Sequence, residues 1–155
     1  MNKEYKDRIE HFLEQKHIAV AGYSTDKRQV ANILYKKFQD NGYQVSGINP
    51  KADQIEDITC FPNLKAVPEK IDAVMISTHP NATLEVVKEC IELGINHVWI
   101  HSSFGKGSYN EDAFRLADEN NMEIIPNACP MMFLKPDGAH RCFRWFMNIS
   151  GKLKV

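Results

Sequence analysis

The stretch His17-Ile18-Ala19-Val20-Ala21-Gly22-Tyr23-Ser24 decides the fold. A short, nearly continuous apolar run ending on glycine suits a strand buried on both faces of a parallel sheet. Working outward, Tyr5, Ile9, Phe12 and Leu13 recur at helical spacing among charges, so a helix over 1–15 precedes the strand. Downstream, Val30, Ile33, Leu34 and Phe38 share one stripe of a helix over 29–40, stopped by Asn41-Gly42. A second strand over 43–48 ends at Asn49-Pro50.

The rhythm then repeats: strand 73–77, helix 82–93 with Gly94 as its stop, strand 97–100, helix 111–120 and strand 123–125. In the connection before the third strand, Cys60-Phe61-Pro62-Asn63-Leu64 and Val67-Pro68 read as a surface loop, since proline is excluded from regular ladder positions. Strands alternating with helices form right-handed βαβ units. The expected fold is therefore α/β, a Rossmann-like doubly wound parallel sheet of about five strands in the order 3-2-1-4-5. Phe143, Trp145, Phe146, Met147 and Ile149 recur near helical spacing, predicting an extra C-terminal helix over 138–149. Its aromatic stripe is expected to be a buried face, against the sheet or a second subunit.

A chain of 155 residues has the size of one ordinary domain, so 1–155 is read as a single unit. With 19 Lys plus Arg against 20 Asp plus Glu, the net charge of -1 supplies no global field toward nucleic acid or anionic membrane. No apolar run approaches the ~20 residues that span a bilayer, and the charged start lacks the core of a signal peptide; a cytoplasmic location is expected. Cys60, Cys90, Cys129 and Cys142 form no C-x-x-C pair, and His97 and His101 share a strand face without an acidic cluster. Reduced thiols and no metal site are the expectation.

In an open parallel sheet, ligands bind beyond the carboxyl ends of the strands. After the first strand, Gly22-Tyr23-Ser24 leads toward a helix whose first amides lack intrahelical partners. Gly22 permits close backbone approach, Ser24 or Thr25 adds a hydroxyl, and Lys27 and Arg28 add charge. The alternative is a plain polar turn capped by Ser24 or Asp26. After the second strand, Asn49-Pro50-Lys51 stands where a nicotinamide dinucleotide site usually has an acidic ribose partner, and the three-glycine fingerprint is reduced to Gly22. A donor and a cation there suit a phosphate on the adenosine ribose, carried by coenzyme A at its 3′ position and by the phosphorylated nicotinamide cofactor at 2′. The missing glycines favour the first.

After the third strand come Thr78, His79 and Pro80; His79 is placed to meet a pyrophosphate or a pantetheine arm, and Asn81 is the expected helix cap. The stretch His101-Ser102-Ser103-Phe104-Gly105-Lys106-Gly107 is a glycine-containing loop able to close over a ligand. No nucleophile and base pair can be assigned in it.

Val20-Ala21-Gly22-Tyr23-Ser24, Ile48-Asn49-Pro50-Lys51, His79-Pro80 and Ile124-Ile125-Pro126-Asn127-Ala128-Cys129-Pro130, in that order and spacing, resemble the small Rossmann-type CoA-binding proteins. These are similar to the N-terminal domain of the succinyl-CoA synthetase alpha subunit. The last fragment resembles that subunit's Pro-Asn-Cys-Pro pattern with Ala128 inserted.

The resemblance implies that Gly22, Tyr23, Ser24 and Arg28 hold CoA phosphates, that Asn49, Pro50 and Lys51 hold the adenosine end, and that Thr78, His79 and Pro80 flank the pantetheine arm. The synthetase's phosphorylated histidine lies in a domain this chain lacks, so ligase activity is not implied. The reading is a stand-alone binder of coenzyme A or an acyl-CoA, without catalytic residues. Alternatives are an NADP-dependent oxidoreductase, an acyl-CoA enzyme using His79, or an interaction protein that dimerises or docks a partner through its aromatic tail. Cys129, just past the last strand, is a candidate for a mixed disulfide with the CoA thiol, against the simpler reading of a small buried residue.

Overall fold

A computed structural model describes residues 1–51, 54–55, 58–102 and 107–153. The helices are α1 (Lys3–Leu13), α2 (Val30–Gln39), α3 (Pro80–Glu92), α4 (Glu111–Glu119) and α5 (Gly138–Ile149). The strands are β1 (His17–Ala21), β2 (Gln44–Ile48), β3 (Gln54–Ile55), β4 (Ile58–Phe61), β5 (Ala73–Ile76), β6 (His97–His101) and β7 (Glu123–Ala128). Among the described residues no helix is long and apolar enough to cross a membrane.

All five residues of β1 are buried, as its uninterrupted apolar run requires. Ile18 and Val20 face a cluster with Phe12, Phe38 and Trp99 beneath α1 and α2. Ala19 and Ala21 face the opposite cluster, with Val87 and Cys90 of α3 and Ala113 and Ala117 of α4. Helices on both faces make the sheet doubly wound. Phe12 meets Trp99 edge-on at 5.2 Å between ring centroids, and the Trp99 indole N–H donates to the Ala128 carbonyl at 3.1 Å, so the largest core side chain is both packed and paired.

The parallel strands stand in the order β4-β2-β1-β5-β6-β7, and β3 pairs antiparallel with β4 at the outer edge. The Rossmann-like order is thus as expected, but its third place belongs to Ile58–Phe61, and the segment expected third, Ala73–Ile76, lies fourth, across β1. The expected loop at 60–64 accordingly gives way to a strand at its start. Among the described residues, Gly47↔Cys60 and Ile48↔Phe61 register β4 against β2, so the strand is set by a neighbour distant in sequence rather than by its own length.

Two other boundaries move. β7 continues through Pro126 to Ala128, because the register against β6 shifts between Trp99 and His101; the irregularity accommodates a proline on an edge strand. α3 begins at Pro80 rather than at 82, and its cap is His79, whose Nδ1 accepts from the Asn81 amide at 3.4 Å; Asn81 itself is helical.

α5 is the larger departure. Met147 is buried and Phe143 packs against the core, but Trp145, Phe146 and Ile149 are 64, 58 and 64% exposed. The aromatic stripe is therefore only in part a buried face.

Candidate functional site

β1, β2 and β5 are neighbours, and the chain order reverses at β1, so their carboxyl ends meet at the topological switch point. Gly22 closes this junction. Its φ of 101° lies in the region that disfavours side chains, and its amide donates to the Ile48 carbonyl at 3.1 Å. A Cβ at that position would fall 2.4 Å from the Ser77 carbonyl oxygen, so the first turn and the β5–α3 connection touch backbone to backbone.

The rest of the first turn is held from α2. Asn32 receives the Ser24 amide on Oδ1 at 2.9 Å and donates from Nδ2 to the Ser24 carbonyl at 2.7 Å, a two-point clamp that the sequence reading missed. Ser24 Oγ accepts from the Asp26 amide at 3.2 Å, in the manner of the polar-turn alternative. The Tyr23 ring packs inward, 4.8 Å from the Tyr35 ring and over Gly47, where a Cβ would come 3.2 Å from it. The Arg28 side chain is 90% exposed and pairs with Asp26, its hydrogen bonds holding that carboxyl below the usual carboxylate range. α2 itself starts with neither a side-chain cap nor an acidic residue in its first turn, leaving amide donors directed at the connection.

Asn49 stitches the second corner to the first. Its Nδ2 donates to the Tyr23 carbonyl at 2.9 Å, its Oδ1 accepts from the Lys51 amide at 2.8 Å, and its own amide reaches Phe61. The oxygen that an aspartate would offer to ribose hydroxyls is here an amide oxygen already receiving a backbone donor, which removes the acidic recognition of a dinucleotide site. Pro50 and Lys51 are exposed beside it.

These parts enclose a cleft of about 310 Å³, at the lower end of small-molecule sites. Of the residues singled out in the sequence, Gly22, Tyr23, Asn49, Pro50 and Thr78 line it, and Ser24, Arg28, Lys51, His79 and Pro80 are outside the lining. The opposite wall comes from Pro62, Asn63 and Leu64 after β4 and from Glu85, Val86 and Glu89 of α3. Glu89 accepts the Leu64 amide at 2.9 Å, joining the two walls. The sequence reading missed this α3 stripe, although Ala82, Glu85, Val86 and Glu89 recur at helical spacing.

Further along the same sheet edge, His101 is buried and burial lowers its pKa to about 4, so it is neutral at pH 7. Cys129 is 3% exposed and burial raises its thiol pKa, which leaves little of the thiolate that disulfide exchange with a CoA thiol needs. Of the expected covering loop, 103–106 lie outside the described residues. Among the described residues no cluster of His, Cys, Asp or Glu converges as a metal site.

Residues 16–135 match the CoA binding domain family, a span that takes in every strand and leaves out α1 and α5. The uncharacterized protein YneT of Bacillus subtilis is 26% identical over 130 residues, 83% of this chain and 93% of that protein. The alpha subunit of the ADP-forming acetate–CoA ligase II of Pyrococcus furiosus is 24% identical over 133 residues, 80% of this chain but only 29% of the subunit. Among solved structures, a hypothetical protein from Pyrococcus horikoshii OT3 superposes with a TM-score of 0.74 at 32% identity, covering 82% of this chain and 87% of that one.

Proposed function

The chain belongs to the CoA binding domain family, and from that premise we propose that it is a stand-alone, single-domain cytoplasmic binding protein for coenzyme A or an acyl-CoA. The observation that carries the reading is the cleft itself, where the β1 turn, the Asn49-Pro50 corner and Thr78 converge at the switch point with no acidic ribose partner. The phosphates lie toward Gly22, Ser24, Arg28 and the uncapped start of α2, and Lys51 serves the 3′-phosphate. The uncharged pantetheine arm runs along Thr78, His79 and Pro80, since Glu85 and Glu89 make the α3 wall a poor neighbour for a phosphate. The segment shared with the ligase relative is 29% of that subunit, and among the described residues lining the cleft no acid–base pair is assembled; the reading is one of binding.

A thermal-shift panel of CoA, 3′-dephospho-CoA, NAD and NADP on the wild type and Lys51→Ala tests this. A ligand at about 100 times its Kd stabilises by about 2.7 kcal/mol. CoA is expected to give the largest shift, and Lys51→Ala to reduce it for CoA more than for dephospho-CoA; a shift with NADP and none with CoA would replace this reading by the reductase one.

The exposed Trp145, Phe146 and Ile149 favour a second reading for the tail alone. On it, α5 is a contact surface for a second copy or a protein partner, compatible with ligand binding in the cleft.

A further inference from the structure

On the CoA reading of the cleft, we propose that Thr83 and the Ser108 carbonyl fix the Thr78 hydroxyl as a pure hydrogen-bond acceptor. This corner then selects a ligand group that donates, such as a pantetheine amide N–H, and rejects one that only accepts. Thr83 lies in the first turn of α3 and is wholly buried. Its Oγ1 is 2.7 Å from the Ser108 carbonyl oxygen, which can only accept, so the single Thr83 hydroxyl proton is committed there. The same Thr83 oxygen lies 3.1 Å from Thr78 Oγ1. One of those two hydroxyls has to donate, and with the Thr83 proton already used, Thr78 supplies it. Thr78 lines the cleft, so lone pairs are all that its hydroxyl has left for a ligand.

The proton direction is enforced from the far side of α3. Ser108 is buried and its amide donates to the His101 carbonyl at 2.9 Å. Asn110, two residues on, donates from Nδ2 to the Pro80 carbonyl at 3.0 Å while its Oδ1 caps α4 through the Ala113 amide. The carbonyl that takes the Thr83 proton is thus carried by a segment anchored on both sides, and a buried carbonyl left without its donor is costly. Thr83 is a positioning residue: it meets no ligand and acts through Thr78. Glu85 and Glu89 line the same cleft, and a carboxylate offers only acceptors as well. Thr78, Glu85 and Glu89 therefore share one demand, a ligand group with N–H or O–H donors.

The test is calorimetric titration of wild type, Thr83→Val, Thr83→Ser, Thr78→Val and the Thr78→Val/Thr83→Val pair. The ligands are CoA and two CoA analogues, each with one pantetheine amide N–H replaced by an ester oxygen. Wild type is expected to prefer CoA over one ester analogue by about tenfold. In Thr83→Val the freed Thr78 hydroxyl rotates to donate, and the preference falls to about twofold or less; Thr83→Ser restores it. Thr78→Val loses the preference too, and adding Thr83→Val to it changes nothing further. Thr83→Ala carries the same expectation as Thr83→Val and replaces it if the valine variant does not fold. CoA binding with no preference in the wild type, or with the preference intact in a folded Thr83→Val or Thr83→Ala, overturns the proposal while leaving the CoA site standing. No CoA binding by the wild type overturns the reading of the cleft, and the assignment to Thr78 with it.

Discussion

The cleft at the carboxyl ends of β1, β2 and β5 and the outer face of α5 both present apolar surface, yet they are held in opposite ways. In the cleft, polar bonds define the shape: Gly22 to Ile48, Asn49 to Tyr23 and Lys51, and Asn32 to both polar groups of the Ser24 backbone. On α5, shape follows from side-chain packing on one face only, with Phe143 and Met147 inward, Arg144 over the Phe133 ring, and Trp145, Phe146 and Ile149 outward. A surface stitched through its backbone is preorganised for a small ligand. On the proposed second reading of the tail, the outer apolar face of α5 meets a broad and complementary surface.

The contrast is broken most severely at Gly22. Replacing it with alanine forces a side chain into a φ of 101° and a Cβ against the Ser77 carbonyl. Gly22→Ala is expected to cost about 3 kcal/mol or more in urea unfolding and to abolish measurable CoA binding; a variant with wild-type midpoint and affinity would show that the close approach is dispensable. Next is Asn49→Ala, which leaves the Tyr23 carbonyl and the Lys51 amide without their partner. About 1–3 kcal/mol of stability should go, with a larger proportional loss of CoA affinity than of melting temperature. If binding survives untouched, the corner does not shape the site.

The smallest effect is expected on the other side of the comparison. Trp145→Ser with Phe146→Ser removes exposed side chains, so stability should stay within about 0.5 kcal/mol of wild type and CoA affinity should not change. On the dimer reading of the tail, sedimentation should show the wild type associating and the double variant monomeric at the same concentration. A large loss of stability would mean that these side chains are buried in the molecule as it exists in solution.

β1 was legible because burial on both faces leaves an apolar run, and the turn after it because glycine followed by polar residues ends such a run. β4 was not, since Ile58–Phe61 is short, sits before Pro62 and owes its pairing to β2. Gly22, Asn49 and Thr78 were recognisable as strand-end residues, but the chemistry of each changed once partners were visible. Asn49 proved to be a bracket between two loops rather than a free donor, and Arg28 proved to be engaged with Asp26. Asn32 and Thr83 carry no signal in the chain, because a hydrogen bond to a backbone group eight residues earlier or to a carbonyl twenty-five residues later leaves no periodicity.

By itself, then, the sequence determined the alternation of strands and helices and the doubly wound class, and it supplied the strand-end residues proposed to meet a ligand. Those follow from local chemistry: apolar period, glycine and proline punctuation, and the absence of an acid at residue 49. Tertiary structure decided which side of β1 each strand joins, which half of the tail is buried, and that the Thr78 and Thr83 hydroxyls meet. Each of these depends on a partner far away in the chain, whose position no local preference encodes.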